Sequence, residues 1–394
     1  MTDPANPSED GPPKQPAAIA SARHPGHELP LPLPFAAPST FLQLRAPVAN
    51  RPTASTQSRT EHPLAAEKPL MTPLDKEQMQ GLRAIREFLK VRTSYDVLPL
   101  SFRLIVLDND LLIRTSVNIL MQNNIVSAPL WDSKTSTFAG LLTSTDYINV
   151  IQYYLQNPAR FEDSDRLRLN SLREVEKAIG VTPLETVSFH PGRPLYEACR
   201  KMLQTRARRI PLVDIDDETG RESVVSVITQ YRILKFIAVN NEKNTMLLKK
   251  TVRELNLGTY DDLATASMTS SVLDVIQLMV KYTISAVPIV DTENTVINVF
   301  EAIDVIPCIK GGAYDELSGT VGDALCRRSD DFQGIYTCTE EDRLDSIFDT
   351  VRKSRVHRLI VVDDESKLKG IISLSDILKY VLIHGEEDHM REQA

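Results

Sequence analysis

Apolar residues recur at three- and four-residue intervals over 112–123, 195–206, 272–282 and 344–353, which places them on one face of a helix each time. Each helical stretch leads into a short β-type run with a common core: Pro129-Leu130-Trp131-Asp132, Pro211-Leu212-Val213-Asp214, Pro288-Ile289-Val290-Asp291 and Ile360-Val361-Val362-Asp363. A polar turn follows, then a second β-type run ending in a short corner, over 141–146, 224–232, 296–304 and 369–376. A further helical pattern leaves each corner, at 147–155, 233–239, 305–309 and 377–383, and a short strand opens each copy, most plainly at 103–107. The chain thus repeats a strand-helix-strand-strand-helix unit four times. One such unit has a single apolar sheet face that it cannot bury alone. Pairing buries it, and four copies make two adjacent pairs in an α/β (α+β) fold.

Outside the repeats the pattern changes. Residues 1–70 are dense in Pro, Ala, Ser and Thr and include the alternating run Leu29-Pro30-Leu31-Pro32-Leu33-Pro34. That composition buries too little apolar surface to offset ordering entropy and predicts a disordered tail. Thr72-Pro73 reads as the N-cap and first position of a helix over 72–92, whose Met79, Leu82, Ile85 and Phe88 share a side that packs on the repeats. The repeats are expected at 93–156, 183–240, 255–310 and 320–385, with Gly311-Gly312 before the last. In the charged connector at 157–182, Leu172-Arg173-Glu174-Val175-Glu176-Lys177 reads as a mostly exposed helix.

Composition narrows the classes of function. The 394 residues leave room for two or three domains of about 100–200 residues each, and 42% hydrophobic content supports a sizeable core. A net charge of −8 argues against nucleic-acid binding driven by overall charge. Cys199, Cys308, Cys326 and Cys338 are scattered, without a CxxC or a nearby histidine pair, which disfavours a disulfide framework or a metal site and suggests a reducing compartment. No apolar run approaches the roughly 20 residues a spanning helix needs, and Asp3, Glu9 and Asp10 are unlike a targeting leader.

The corners carry the candidate chemistry. They place Asp146, Arg232, Asp304 and Asp376 at matching positions. A carboxylate can accept both hydroxyls of a ribose diol, and an Asp in the first turn of a helix is equally a favoured cap. Arg232 cannot accept from a diol, so its corner is not expected to hold ribose as the others could. Arg208-Arg209 and His357-Arg358 recur before the repeated strand, with Arg328 between copies. Guanidinium forks suit phosphate, although cations near a helix C-terminus are also stabilised by its dipole. The corner hydroxyls Thr143, Thr145, Thr229, Ser373 and Ser375 complete a nucleotide-like set of diol acceptor, small polar donors and phosphate clamp. No Gly-rich phosphate loop is evident, which gives phosphate hydrolysis and hydride transfer little support.

The repeats resemble cystathionine-beta-synthase (CBS) domains. Residues 75–385 as a whole resemble the gamma subunits of the AMP-activated / sucrose-non-fermenting protein kinase, most closely their fungal form. The matching stretches are TSYDVLP at 93–99, SAPLWDSKTSTFAGLLTSTDYINVIQYY at 127–154, TQYRILKF at 229–236, RRSDDF at 327–332, VHRLIVVDD and SLSDILKY. The resemblance implies four CBS repeats in two Bateman pairs forming a pseudo-symmetric disc, with AMP, ADP or ATP in clefts facing a central channel. It makes Asp146, Asp304 and Asp376 ribose acceptors, and Arg209, His357, Arg358 and Arg328 phosphate ligands. Thr259 and Ala264, with Ser285 and Ala286, line adenine pockets, and the corner from Ser373 through Leu374 and Ser375 to Asp376 ranks first. In the fungal form nucleotide also contacts the corner from Thr229 through Tyr231 to Arg232, and the first-repeat strand at Ile105. The chain departs from animal members at Val126 (Arg there), Arg208 (His), Tyr231 (Lys) and Glu301 (a small hydroxyl residue).

The implied role is a non-catalytic regulatory subunit of a heterotrimeric Ser/Thr kinase. It would sense cellular energy through adenine nucleotides, work with a catalytic alpha and a scaffolding beta subunit, and be cytoplasmic and nuclear. The alternative is a CBS array that regulates another enzyme or a transporter through a different adenosyl ligand such as S-adenosylmethionine. His357-Arg358 and Arg328 disfavour it, because a ligand without phosphates needs no such clamp. A CBS-containing enzyme is disfavoured because the repeats occupy the ordered chain.

Overall fold

The computed structural model describes residues 71–181, 187–312, 314–328 and 332–386, so the expected tail at 1–70 lies outside the described residues. Thr72 caps helix α1 (Pro73–Val91): Asp75 N donates to the Thr72 hydroxyl at 3.1 Å, and Thr72 N donates to Asp75 Oδ2 at 2.9 Å. This reciprocal box, with Pro73 at the first position, fixes where the helix begins. Its Leu82, Ile85 and Leu89 are fully buried.

The first repeat consists of β1 (Leu107–Asp108), α2 (Ile113–Gln122), β2 (Ser127–Asp132), β3 (Thr137–Thr143) and α3 (Ser144–Gln156), and a connector helix α4 (Leu172–Ala178) follows. The second has α5 (Leu195–Gln204), β4 (Arg209–Ile215), β5 (Glu222–Thr229) and α6 (Gln230–Asn240), then the short helices α7 (Glu242–Thr245) and α8 (Val252–Leu255). The third has α9 (Val272–Tyr282), β6 (Ala286–Val290), β7 (Val296–Glu301) and a 3-10 helix at Ala302–Gly312, followed by α10 (Val321–Leu325). The fourth has β8 (Thr337–Cys338), α11 (Leu344–Lys353), β9 (Arg358–Val362), β10 (Leu368–Ser373) and α12 (Leu374–Ile383). In every repeat the two longer strands form an antiparallel hairpin with one register shift.

Three local expectations are corrected. The opening strand expected at 103–107 forms only at Leu107–Asp108, where the backbone runs parallel to Leu130 and Trp131. Apolar character alone cannot supply the missing partner for the residues before it. The helix expected after the third corner is a 3-10 helix containing Pro307, whose missing N–H is incompatible with a regular α-helical interior. The connector helix is not mostly exposed: Leu172, Val175 and Glu176 are buried in α4, and its two apolar residues join the core of the first and third repeats.

The repeats interlock in adjacent pairs by exchanging the segments that lead into them. The segment before the first repeat bridges to the start of α5 in the second: Ser94 N donates to Arg193 O and Leu195 N to Arg92 O. In return, the segment before the second repeat bridges to the start of α2, through Ile113 N to Leu167 O and Leu169 N to Leu111 O. The third and fourth repeats make the same exchange, with Leu344 N donating to Lys250 O and Val272 N to Gly319 O. These bonds satisfy backbone groups at helix starts that have no intrahelical partner. The large cores run across this pairing. Helices of the second and fourth repeats bury one cluster with α1, and those of the first and third bury another with α4 and α10. A smaller cluster of Ala286, Val299, Ile360 and Leu368 joins the sheets of the third and fourth repeats.

Candidate functional site

Antiparallel register decides what faces each corner. Ser127 lies opposite Thr143, Arg209 opposite Thr229, Ala286 opposite Glu301, and Arg358 opposite Ser373. The second and fourth repeats therefore set a cation across from a corner hydroxyl, while the first and third set a small residue there.

The two cationic corners converge. The Tyr231 ring in the second repeat lies parallel to that of His357 in the fourth, with centroids 6.4 Å apart. Its hydroxyl donates to Ser354 O at 3.3 Å and accepts from Lys235 Nζ at 3.2 Å. Arg208, Arg209, Arg355, His357 and Arg358 act on one another electrostatically. Burial pushes Arg208 down to about 10, and the charges of Arg358 and Arg209 add to the effect. Burial also lowers Arg209 and His357, the latter with further repulsion from Arg358, Arg209 and Arg355. Glu301, carried in from the third repeat, partly opposes these shifts. Its Oε1 lies 3.0 Å from Arg358 Nε, yet that buried nitrogen has no hydrogen-bond alignment. Withdrawing cations from water costs several kcal/mol each unless anions or acceptors compensate. The junction is thus prepared for an anion.

The Asp376 corner borders this junction. Ser373 N and Ser373 Oγ both donate to Asp376 Oδ2, at 2.8 and 2.7 Å, which leaves Oδ1 open as an acceptor among the described residues. Ser375 Oγ donates to Gln230 Oε1 at 3.0 Å, tying the fourth corner to the second. The Leu374 side chain is buried in the core of the second and fourth repeats, so only its backbone is available to a ligand. Thr259 pairs with β10 through two 2.9 Å bonds to Ile371, donating and accepting one each. Ala286 packs into the small inter-sheet cluster with Ile360 and Leu368, and Leu263 and Ile371 pack against it. Ala264 and Ser285 are half-buried nearby in sequence, with Ser285 O accepting from Ala302 N at 2.9 Å. These residues put apolar surface beside the fourth corner, which suits a flat aromatic base.

At the third corner Asp304 and Arg328 meet each other. Arg328 Nε donates to Asp304 Oδ1 at 2.7 Å, and Nη2 donates to Oδ2 at 2.6 Å. Oδ2 also accepts from Glu301 N at 2.6 Å, so both carboxylate oxygens are engaged. Arg328 further donates to Asn298 Oδ1 at 2.9 Å and to Val299 O, and its guanidinium lies 4.1 Å from the centre of the Phe332 ring. Burial raises Asp304 despite this cation.

The remaining candidates are placed apart from the junction or turned to local duties. Asp146 is buried and accepts from Thr143 N at 2.6 Å and Thr143 Oγ1 at 2.8 Å. Burial lifts it to about 6, Glu176 adds to the rise, and Arg173 only partly opposes it. Thr145 is half-buried beside it. Arg232 Nη1 donates to Val227 O at 3.1 Å, and Arg232 N donates to the Thr229 hydroxyl at 3.2 Å, a helix cap. Ile105 packs against the core of the first and third repeats. Sequence reasoning did not single out Arg355, Gln230 or Asn298. Arg355 was visible among the basic residues preceding the last repeated strand, whereas Gln230 and Asn298 left no signal.

Four helix-hairpin-helix units, each opened by a two-residue strand or, in the second and third, by a single parallel bridge in place of the expected strand, are paired by exchanged segments and end in polar corners, which defines a CBS-repeat protein. The CBS domain family matches residues 179–239, 252–311 and 331–383. The chain is 58% identical over 307 residues to the 5'-AMP-activated protein kinase subunit gamma of Saccharomyces cerevisiae, covering 78% of this chain and 95% of that protein. It is also 58% identical over 310 residues to the subunit of that name from Kluyveromyces lactis, covering 78% and 94%. The chain belongs to the 5'-AMP-activated protein kinase gamma-subunit family. A Methanocaldococcus jannaschii crystal structure, described as that of a proposed archaeal homologue of the kinase gamma subunit, shares the fold with a TM-score of 0.57 at 15% identity, covering 73% of this chain and 99% of that one.

Proposed function

We propose that the chain is the non-catalytic regulatory gamma subunit of a heterotrimeric Ser/Thr protein kinase. It binds AMP, ADP and ATP in competition at the junction of the second and fourth repeats and passes occupancy to a catalytic alpha subunit and a scaffolding beta subunit. In this reading the open Asp376 oxygen accepts from ribose, the apolar surface near Thr259 and Ala286 takes the base, and Arg358, His357, Arg208 and Arg209 hold phosphate. The observation that carries it is the set of desolvated cations contributed by two repeats, which a phosphate would compensate. Membership of the gamma-subunit family supports the regulatory role and the kinase partners. Regulation requires the nucleotides to bind two conformational states unequally, and junction cations drawn from two repeats would give such a difference if the repeats shift relative to each other.

Isothermal titration of the full chain with each nucleotide tests this. All three should bind and compete, and Arg358→Ala should weaken AMP by about a hundredfold, in keeping with the loss of a buried charge-assisted contact. Absence of binding to all three would remove the sensor reading.

A further inference from the structure

We infer that Glu301 is a built-in competitor for phosphate that sets how the junction discriminates nucleotides by charge; this rests on the nucleotide reading above. At the first and fourth corners the hydroxyl of Thr143 or Ser373 donates to the corner Asp. At the third corner the equivalent residue is Glu301, and only its backbone N–H serves Asp304, at 2.6 Å. The Glu301 side chain is thereby free of capping duty and reaches Arg358 at 3.0 Å. Among the described residues it is the acidic side chain whose charge acts on both Arg208 and Arg209.

Two details make this pairing exchangeable. Glu301 and Arg358 side chains retain 21% and 19% of their exposure, so a solute can reach them. The contact also lacks hydrogen-bond alignment, unlike the double bond of Arg328 to Asp304. A phosphate able to align with Arg358 would outcompete the carboxylate there and then experience its repulsion. That repulsion grows with every phosphate added, so Glu301 weights the junction toward the less charged nucleotides.

Titration of the full chain and Glu301→Gln with adenosine, AMP, ADP and ATP tests the inference. The variant should bind AMP about threefold and ATP about tenfold more tightly, with adenosine unchanged, and the gain should shrink as salt rises. Equal or weaker binding of the whole series by the variant would overturn it, since Glu301 would then merely position Arg358. Glu301→Ser, which restores the hydroxyl of the sibling corners, gives the same readout if the Gln variant does not fold. Failure of the parent chain to bind any nucleotide would overturn the proposed function instead. Inorganic tripolyphosphate then decides the role of Glu301: tighter binding by the variant supports it, and equal or no binding by both chains ends it.

Discussion

At the third corner Asp304 engages Arg328 through both carboxylate oxygens, whereas at the fourth Asp376 satisfies its helix cap through Oδ2 and keeps Oδ1 free. The two residues occupy the same position in homologous units. Their environments differ because the third corner faces Ala286 and recruits a cation from the next linker, while the fourth faces Arg358 on its own hairpin. An acidic corner is therefore closed or open according to where its cation is anchored. A cation on the same hairpin lies opposite the corner hydroxyl and leaves the carboxylate unconsumed. A cation on the linker folds over it.

The sharpest way to break this contrast is to remove each carboxylate. Asp304→Ala would strand Arg328, whose side chain is only 11% exposed, and should cost about 3 kcal/mol or more in denaturant unfolding. Asp376→Ala loses a capping box and should cost about 1 kcal/mol. Equal losses would erase the distinction.

Asp146, the remaining acidic corner, extends the comparison to a carboxylate with no strong cation. Its folded value of about 6 stands above the ordinary 3.8, so between those limits the folded chain holds more proton than the unfolded one. Stability should accordingly fall as pH rises from about 4 to about 6, by up to about 3 kcal/mol for the full shift. Asp146→Asn should flatten that slope and leave the protein about 1 kcal/mol more stable at neutral pH, since the amide oxygen can still accept from Thr143 N. Unfolding curves across this range check the sign. The smallest effect belongs to Phe332→Ala, which removes an exposed ring from the closed corner and should cost about 0.5–1 kcal/mol by thermal unfolding.

Much of this architecture was legible in the sequence because it repeats. The Pro-apolar-apolar-Asp runs and their corners marked the hairpins, and Thr72-Pro73 marked the first helix start. The crossing of cores was not legible. Apolar faces of α5 and α12, or of α3 and α9, carry no label saying which distant face they will meet. The closed corner was hidden for the same reason. Arg328 and Asp304 are separated by 24 residues and a linker, and both looked like ligand contacts when read one at a time. The family resemblance implied Arg209, His357 and Arg358 as phosphate ligands in clefts facing a central channel, while Arg208 and Glu301 registered only as departures from animal sequences. The place of Glu301 among those cations emerged from the tertiary structure, since one charge in a strand gives no hint of the field it enters.

The long reach of α1 has a consequence for how the chain is made. Arg86 donates to the carbonyl of Val381, 295 positions later, at 2.7 Å, and also to that of His384 at the end of α12. Among the earliest of the described segments to leave the ribosome, α1 must wait for the last helix before its buried guanidinium finds those acceptors. The same helix also packs on α5 and α7, so the part of its surface that faces α12 is what stays uncovered until that last helix emerges.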